Sequence, residues 1–174
     1  RDAGAVQQSR ELAQPGRCEG SRGCGHPPRR RCAITPGPDE IAPLYTGGRG
    51  GPGIDLVNTY DLPSRPFDSQ AARTLHESAP GHAFQMPLAS ENKSLPAFRR
   101  DTYLSVYGEG WARYCETLGE DVGMYETPYA LFGMLSYQAW RAARAVVGAG
   151  TPARGWSGGG GRGVLTDTHA AAPP

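Results

Sequence analysis

The sequence predicts a mainly α fold, with antiparallel helices preceded by one short β-strand or hairpin and flanked by irregular tails. Three observations carry this. Apolar residues recur at spacings of three and four over residues 98–118 and again over 127–147, the period of an amphipathic helix. One run, Ile54, Leu56 and Val57 with Thr59 and Tyr60, has instead the β-branched and aromatic content of a strand. Glycine and proline, 25 and 16 of 174 residues, are unevenly placed: residues 1–53 hold 18 of them, residues 68–147 hold 10 and residues 148–174 hold 11. Backbone that is hard to order therefore sits at both ends of an ordinary central stretch. The chain divides into an irregular tail over 1–33, a domain over 34–157 and a Gly/Ala-rich irregular tail over 158–174.

Residues 1–33 keep no period and place three arginines, Arg29, Arg30 and Arg31, beside Pro27 and Pro28. Cys18, Cys24 and Cys32, with His26 nearby, lack the C-x₂₋₄-C knuckle of a zinc module. Residues 47–53 form a glycine loop, followed by the strand, which Pro63 and Pro66 end because proline has no ladder donor. A helix starts at Asp68 or Ser69, with the polar side chain as N-cap, and passes Ala71, Ala72, Leu75 and His76. At Pro80-Gly81 the missing N–H and the ring clash predict a bend, after which helix resumes through Phe84, Gln85 and Leu88. A second helix runs from about Phe98 to Leu118, with Tyr103, Leu104, Tyr107, Trp111, Tyr114, Cys115 and Leu118 at its apolar positions, and ends at Gly119 and Gly123. Thr127-Pro128 opens a third, whose apolar face holds Leu131, Leu135, Ala139, Ala142 and Val146 and which Gly148 and Gly150 stop. Residues 158–163 read as shapeless.

Composition excludes several classes. No apolar run approaches the roughly 18–20 residues that span a bilayer, so no membrane partner is expected. A formal charge of +1 is too balanced for nucleic-acid binding through net charge, and the two short Arg-Gly segments, 47–51 and 160–163, add little to it. The chain begins at Arg rather than Met, as a fragment or processed form would, and shows no apolar signal region near Arg1. Compartment and oligomeric state are left unspecified.

The chemistry concentrates in Leu75-His76-Glu77-Ser78-Ala79-Pro80-Gly81-His82, which holds two of the four histidines. In H-E-x-x-H both imidazoles share one helix face and the glutamate serves as base. Here the histidines are six apart, and on a straight helix the second ring would lie about 240° round from the first. Only the Pro80-Gly81 break can swing His82 back. The second stretch is Glu109-Gly110-Trp111-Ala112-Arg113-Tyr114-Cys115-Glu116. Glu109 and Glu116, seven apart, share a helix face. Glu109 suits a third metal ligand from a facing helix, against the plainer alternative of an i,i+4 pair with Arg113. Flanking glycines cost helix stability without structural return, which favours the former.

Together these motifs resemble a bacterial family catalogued as a domain of unknown function and regarded as a zinc metallopeptidase of the gluzincin type. The resemblance runs from about Arg31 to Trp156 and includes His76-Glu77-x-x-Pro80-Gly81-His82, Glu109-Gly110-Trp111-Ala112-x-Tyr114-x-Glu116 and Trp140-Arg141-Ala142-x-Arg144. Residues 58–66 and 133–136 are similar too. The resemblance implies Zn²⁺ held by His76, His82 and Glu109, Glu77 as general base, and Glu116 as a carboxylate orienting a ligand histidine. It implies Arg141 and Arg144 as binders of a peptide's terminal carboxylate, and it makes Tyr103 or Tyr107 a candidate hydrogen-bond donor to the reacting carbonyl. The activity implied is carboxypeptidase- or dipeptidase-like hydrolysis of a peptide substrate, the alternative being a catalytically inactive metal- or peptide-binding remnant. A metal-free acid/base hydrolase using Glu77 and His82 is a further reading of the same residues.

Two departures stand out. Where the family continues past the arginines with a segment like Val-Val-Asp-Thr-Gly-x-His, this chain reads Val146-Val147-Gly148-Ala149-Gly150-Thr151-Pro152, without the aspartate or the histidine. The family's long upstream helical scaffold is also replaced by about 30 unrelated residues. Gly, Ala, Arg and Pro runs suit GC-rich DNA read out of frame, so the expectation is a truncated or decayed catalytic region whose two ends are foreign to the family.

Overall fold

The computed structural model describes residues 11, 32–37, 44–46, 53–61, 65 and 67–168. Three strands come first: β1 (Cys32–Gly37), β2 (Leu44–Thr46) and β3 (Gly53–Asn58). A 3₁₀ turn at Phe67–Ser69 leads into α1 (Gln70–Glu77), followed by α2 (His82–Glu91), α3 (Ala97–Asp101), α4 (Ser105–Asp121), α5 (Pro128–Arg154) and α6 (Gly158–Thr168). The mainly helical class with a short β unit ahead of the helices is what the sequence predicts. The readings of residues 1–31, of the 47–52 loop and of the prolines at 63 and 66 lie outside the described residues, as do Cys18, Cys24 and His26.

The single expected strand is the centre of a three-stranded sheet in the order β1-β3-β2. β1 runs parallel to β3, with Cys32 opposite Gly53, and β2 runs antiparallel, with Leu44 opposite Leu56. β1 contains Pro36 and Gly37, which local propensity disfavours. Pairing with β3 overrides that preference, as strand propensity is weak against tertiary context. Of the apolar residues that indicate β3, Val57 is buried while Ile54 and Leu56 are half-buried, and Gly53, Asp55 and Asn58 share the burial.

α1 is the centre of the domain. All residues from Gln70 to His76 are buried, with α4, α5 and the 3₁₀ turn packed about it. It stops at Glu77, and α2 restarts at His82, so the predicted bend is a complete break over residues 78–81. Gly81 returns so close to the end of α1 that a Cβ there would overlap the carbonyl oxygens of Leu75 and His76. Only glycine permits that approach.

The predicted helix from Phe98 to Leu118 is two helices. Residues 102–104 are extended between α3 and α4, which takes Tyr103 off the helix. The Tyr103 ring instead folds back onto the first turn of α4, over Gly108, where a Cβ would collide with it.

α5 begins as expected, with Thr127 Oγ1 accepting from Ala130 N at 3.1 Å and Pro128 in the first turn. It does not stop at Gly148 or Gly150 but continues through Pro152 to Arg154, ending at Gly155 in the left-handed conformation. Its predicted apolar face is the exposed one: Leu135 and Val146 are about half exposed, and Ala139 and Ala142 face solvent. The buried side is Gly133, Met134, Ala143 and Gly150. Gly133 is required there because a Cβ would overlap the backbone of Asp68 and Ser69, and Gly150 because one would overlap the Trp156 ring.

Residues 158–168, read as part of an irregular tail, form α6. Ser157 Oγ accepts from Gly160 N at 3.2 Å at its start, and the helix packs on α5, with Gly161 against Val147. Cap and packing outweigh the poor intrinsic propensity of five glycines.

Candidate metal centre

His76 lies one residue before the end of α1, and its ring is fixed from behind. Nδ1 is 2.6 Å from Glu116 Oε1, on α4. The other Glu116 oxygen accepts from Arg141 Nη1 of α5, also at 2.6 Å, and the Glu116 carbonyl accepts from the Tyr125 hydroxyl at 2.6 Å. Glu116 is fully buried. A carboxylate so placed needs charged or hydrogen-bonding partners on both oxygens, and it has them. With Nδ1–H donated to Glu116, the His76 Nε2 lone pair is left facing outward.

His82 opens α2 with its ring perpendicular to that of His76, the centroids 4.9 Å apart. Between the two rings stands the Glu109 carboxylate. Oε2 is 3.4 Å from His76 Nε2, and Oε1 is 3.6 Å from His82 Nε2. Glu109 thus turns to the histidines rather than along its helix to Arg113. The carboxylate is 56% exposed, so this side of the cluster opens to solvent. Tyr103, from the extended link before α4, donates its hydroxyl to Glu109 Oε1 at 2.9 Å. Glu77 is half-buried, and a carboxylate oxygen of it lies within 4.8 Å of a ring nitrogen of each histidine. Two carboxylates therefore reach the pair. His76, Glu77 and His82 can each offer one ligand atom within 4.8 Å of the others, while Glu109 places one oxygen near the Nε2 of each histidine.

The electrostatics favour neutral donors. Burial, and next the neighbouring His76, pull the His82 pKa below 6.5, with Glu109 and Gln85 opposing in part. Tyr103 is pushed up to about 12, first by burial and then by its hydrogen bond to Glu109 and the charges of Glu109 and Glu77, so the phenol stays protonated. The His82 shift has a stability consequence. Below pH 6.5 the unfolded chain takes up a proton that the folded site resists. Stability of the metal-free chain is therefore expected to fall as pH drops from about 6.5 through the lowered folded value. Denaturant unfolding at pH 7.5, 6.5 and 5.5 checks this, and His82→Gln should flatten the slope.

The remaining candidates divide. Tyr107 contributes its backbone carbonyl, which accepts from Gln85 Nε2 at 3.4 Å, but its phenol is 61% exposed and outside the cluster's contacts. Arg141 is committed to Glu116 and lies 5.0 Å over the Tyr137 ring. Arg144 is exposed and makes none of the ion pairs that bind the cluster together. Sequence reasoning passed over Asp55, Arg73, Ser78 and Tyr125. Fully buried Asp55 forms an ion pair with Arg73 through Oδ1 and accepts from Ser78 Oγ at 2.6 Å through Oδ2, while Arg73 also donates to the Leu56 carbonyl at 3.0 Å. The available signal was an aspartate between Ile54 and Leu56 in a strand, where an apolar or surface residue is the norm. Trp111, noted only as apolar, donates Nε1–H to the Pro80 carbonyl at 2.9 Å.

The sequence model of the family described as "Bacterial protein of unknown function (DUF885)" matches residues 16–173. This passes both limits of the motif resemblance, 31 and 156, and takes in most of the two segments expected to be foreign. No curated protein matches the sequence. A solved structure, "putative lipoprotein from Colwellia psychrerythraea", is similar with a TM-score of 0.91 at 25% identity over 97% of this chain and 30% of that one. The chain thus spans less than a third of the length of that relative. Among the described residues, no helix is long and apolar enough to cross a membrane.

Proposed function

The chain belongs to the DUF885 family of bacterial proteins, whose function is unknown, and from the geometry of the cluster we propose that His76, His82 and Glu109 form a zinc centre for peptide hydrolysis. The observation that carries this reading is the meeting of two outward Nε2 atoms at one carboxylate, with the back of His76 tied to buried Glu116. Two imidazoles and a carboxylate are a catalytic zinc donor set. The Glu109 carboxylate brings Oε2 within 3.4 Å of His76 Nε2 and Oε1 within 3.6 Å of His82 Nε2, so it can reach a metal held by either ring. Lowered basicity at His82 suits a ligand that binds as the neutral ring.

Zn²⁺, when bound, supplies a Lewis acid for the scissile carbonyl and acidifies water. Glu77, whose carboxylate lies within 4.8 Å of a nitrogen of each histidine, takes the proton of the attacking water and returns it to the leaving amine. Tyr103, kept protonated, donates its one hydroxyl hydrogen to Glu109 and holds that carboxylate, and it can serve the substrate's developing oxyanion only by exchanging that bond. Arg141 acts through Glu116 on His76 rather than on substrate, so a carboxypeptidase- or dipeptidase-like preference rests on Arg144 alone. A second reading, a metal-binding remnant without turnover, is favoured by one observation: the aspartate and histidine expected after Val147 are absent, and α5 continues through their place.

Metal analysis of the purified chain together with cleavage of a peptide library tests both readings. One zinc per chain and chelator-sensitive cleavage are expected. Zinc without cleavage selects the remnant, chelator-resistant cleavage points to metal-free chemistry at Glu77 and His82, and neither zinc nor cleavage overturns the metal centre.

A further inference from the structure

We propose that Asp55 and Trp111 are positioning residues that clamp the turn at residues 78–81 and so set His82 against His76. The proposal rests on the zinc reading above. Six residues of unbroken helix would hold the two rings about 240° apart, yet their centroids are 4.9 Å apart. The whole of that convergence is made by four residues, 78–81. A short connection carrying a ligand needs outside restraint, because each residue left free costs about 1–2 kcal/mol to order when metal binds.

Two restraints come from different elements. On the sheet side, Ser78 Oγ donates to Asp55 Oδ2, and Asp55 is itself held by Arg73 of α1 through its other oxygen. Asp55 thus joins the turn to the helix that carries His76. On the helix side, Trp111 Nε1 donates to the Pro80 carbonyl. Trp111 stands two residues beyond Glu109 on α4, so the segment that offers the carboxylate also holds the turn between the histidines. Shifts of α4 would then move Glu109 and His82 together and preserve their spacing. None of these groups approaches the solvent-facing side of the cluster, so neither residue is catalytic.

The test uses two mild variants of the full chain. Trp111→Phe removes the indole N–H and keeps an aromatic ring. Ser78→Ala removes the hydroxyl and leaves the Asp55–Arg73 pair intact, whereas changing Asp55 itself would strand a buried arginine. Zinc affinity is measured by competition with a chromophoric chelator, ligand geometry by the d–d spectrum of the Co²⁺-substituted chain, and metal-free stability by thermal unfolding. Each variant is expected to bind zinc about 10-fold more weakly, with the double variant nearer 100-fold, and to alter the Co²⁺ bands. Wild-type affinity and an unchanged Co²⁺ spectrum in both variants overturn the clamp while leaving the zinc reading intact, even if unfolding temperature falls. Failure of the wild-type chain to bind either metal overturns the zinc reading and the clamp with it.

Discussion

His76→Ala is expected to yield a folded chain without stoichiometric zinc and without chelator-sensitive hydrolysis. His76 is the hub of the cluster, since Nε2 faces Glu109 and Nδ1 is tied to Glu116. Removing it leaves a single imidazole beside the carboxylates of Glu77 and Glu109, one histidine short of the two-histidine, one-carboxylate donor set of a catalytic zinc site. The fold should persist because Glu116 keeps Arg141 on its other oxygen. Losing one donor to a buried carboxylate costs about 1–3 kcal/mol, readable by denaturant unfolding. His76→Asn is the matching control, because its amide can sit near the Nδ1 position and still donate to Glu116 while offering nothing at Nε2. It should lose zinc equally and recover much of the stability. Zinc retained at one per chain in either variant would remove His76 from the ligand set.

Glu77→Gln is expected to separate binding from turnover. Glu77 lies close to both histidines, and Glu109 also approaches the Nε2 of each, so the two carboxylates must be told apart by substitution. The amide keeps the volume and loses the basic oxygen, so zinc should remain near one per chain while kcat falls about 10²–10⁴-fold, the usual worth of a general base. KM should change little. Loss of zinc in Glu77→Gln with retention in Glu109→Gln would exchange the two roles. Equal activity with and without the Glu77 carboxylate would remove the base from the mechanism.

Much of the site was legible because its chemistry is local. His76-Glu77 followed by Pro80-Gly81-His82 gives both the paired histidines and the helix break between them, and Glu109 and Glu116 are seven residues apart on one helix. Other features had no local signal. Arg141 looks like a surface arginine with any of several duties, and only the approach of α5 to α4 gives it Glu116. Tyr103 reads as one more apolar position on a long helix until residues 102–104 extend and turn it toward Glu109. The apolar spacing of α5 indicates a helix correctly but selects the wrong face, because a helix packed backbone-to-backbone buries its smallest residues rather than its most apolar ones.

Periodicity, composition and the Pro80-Gly81 pair sufficed for the helical class, the β segment ahead of it and the break between His76 and His82. These follow from backbone stereochemistry and periodicity, which act within a turn or two of the chain. The tertiary structure decided the rest: that Asp55 is buried against Arg73 and Ser78, that the glycines of α5 and α6 lie within helices, and that Glu116 stands behind His76. The Asp55 and Glu116 contacts join residues 18 to 40 positions apart, and the glycines pack on Asp68, Val147 and Trp156, so burial and pairing outweigh a local propensity worth roughly 1 kcal/mol per residue.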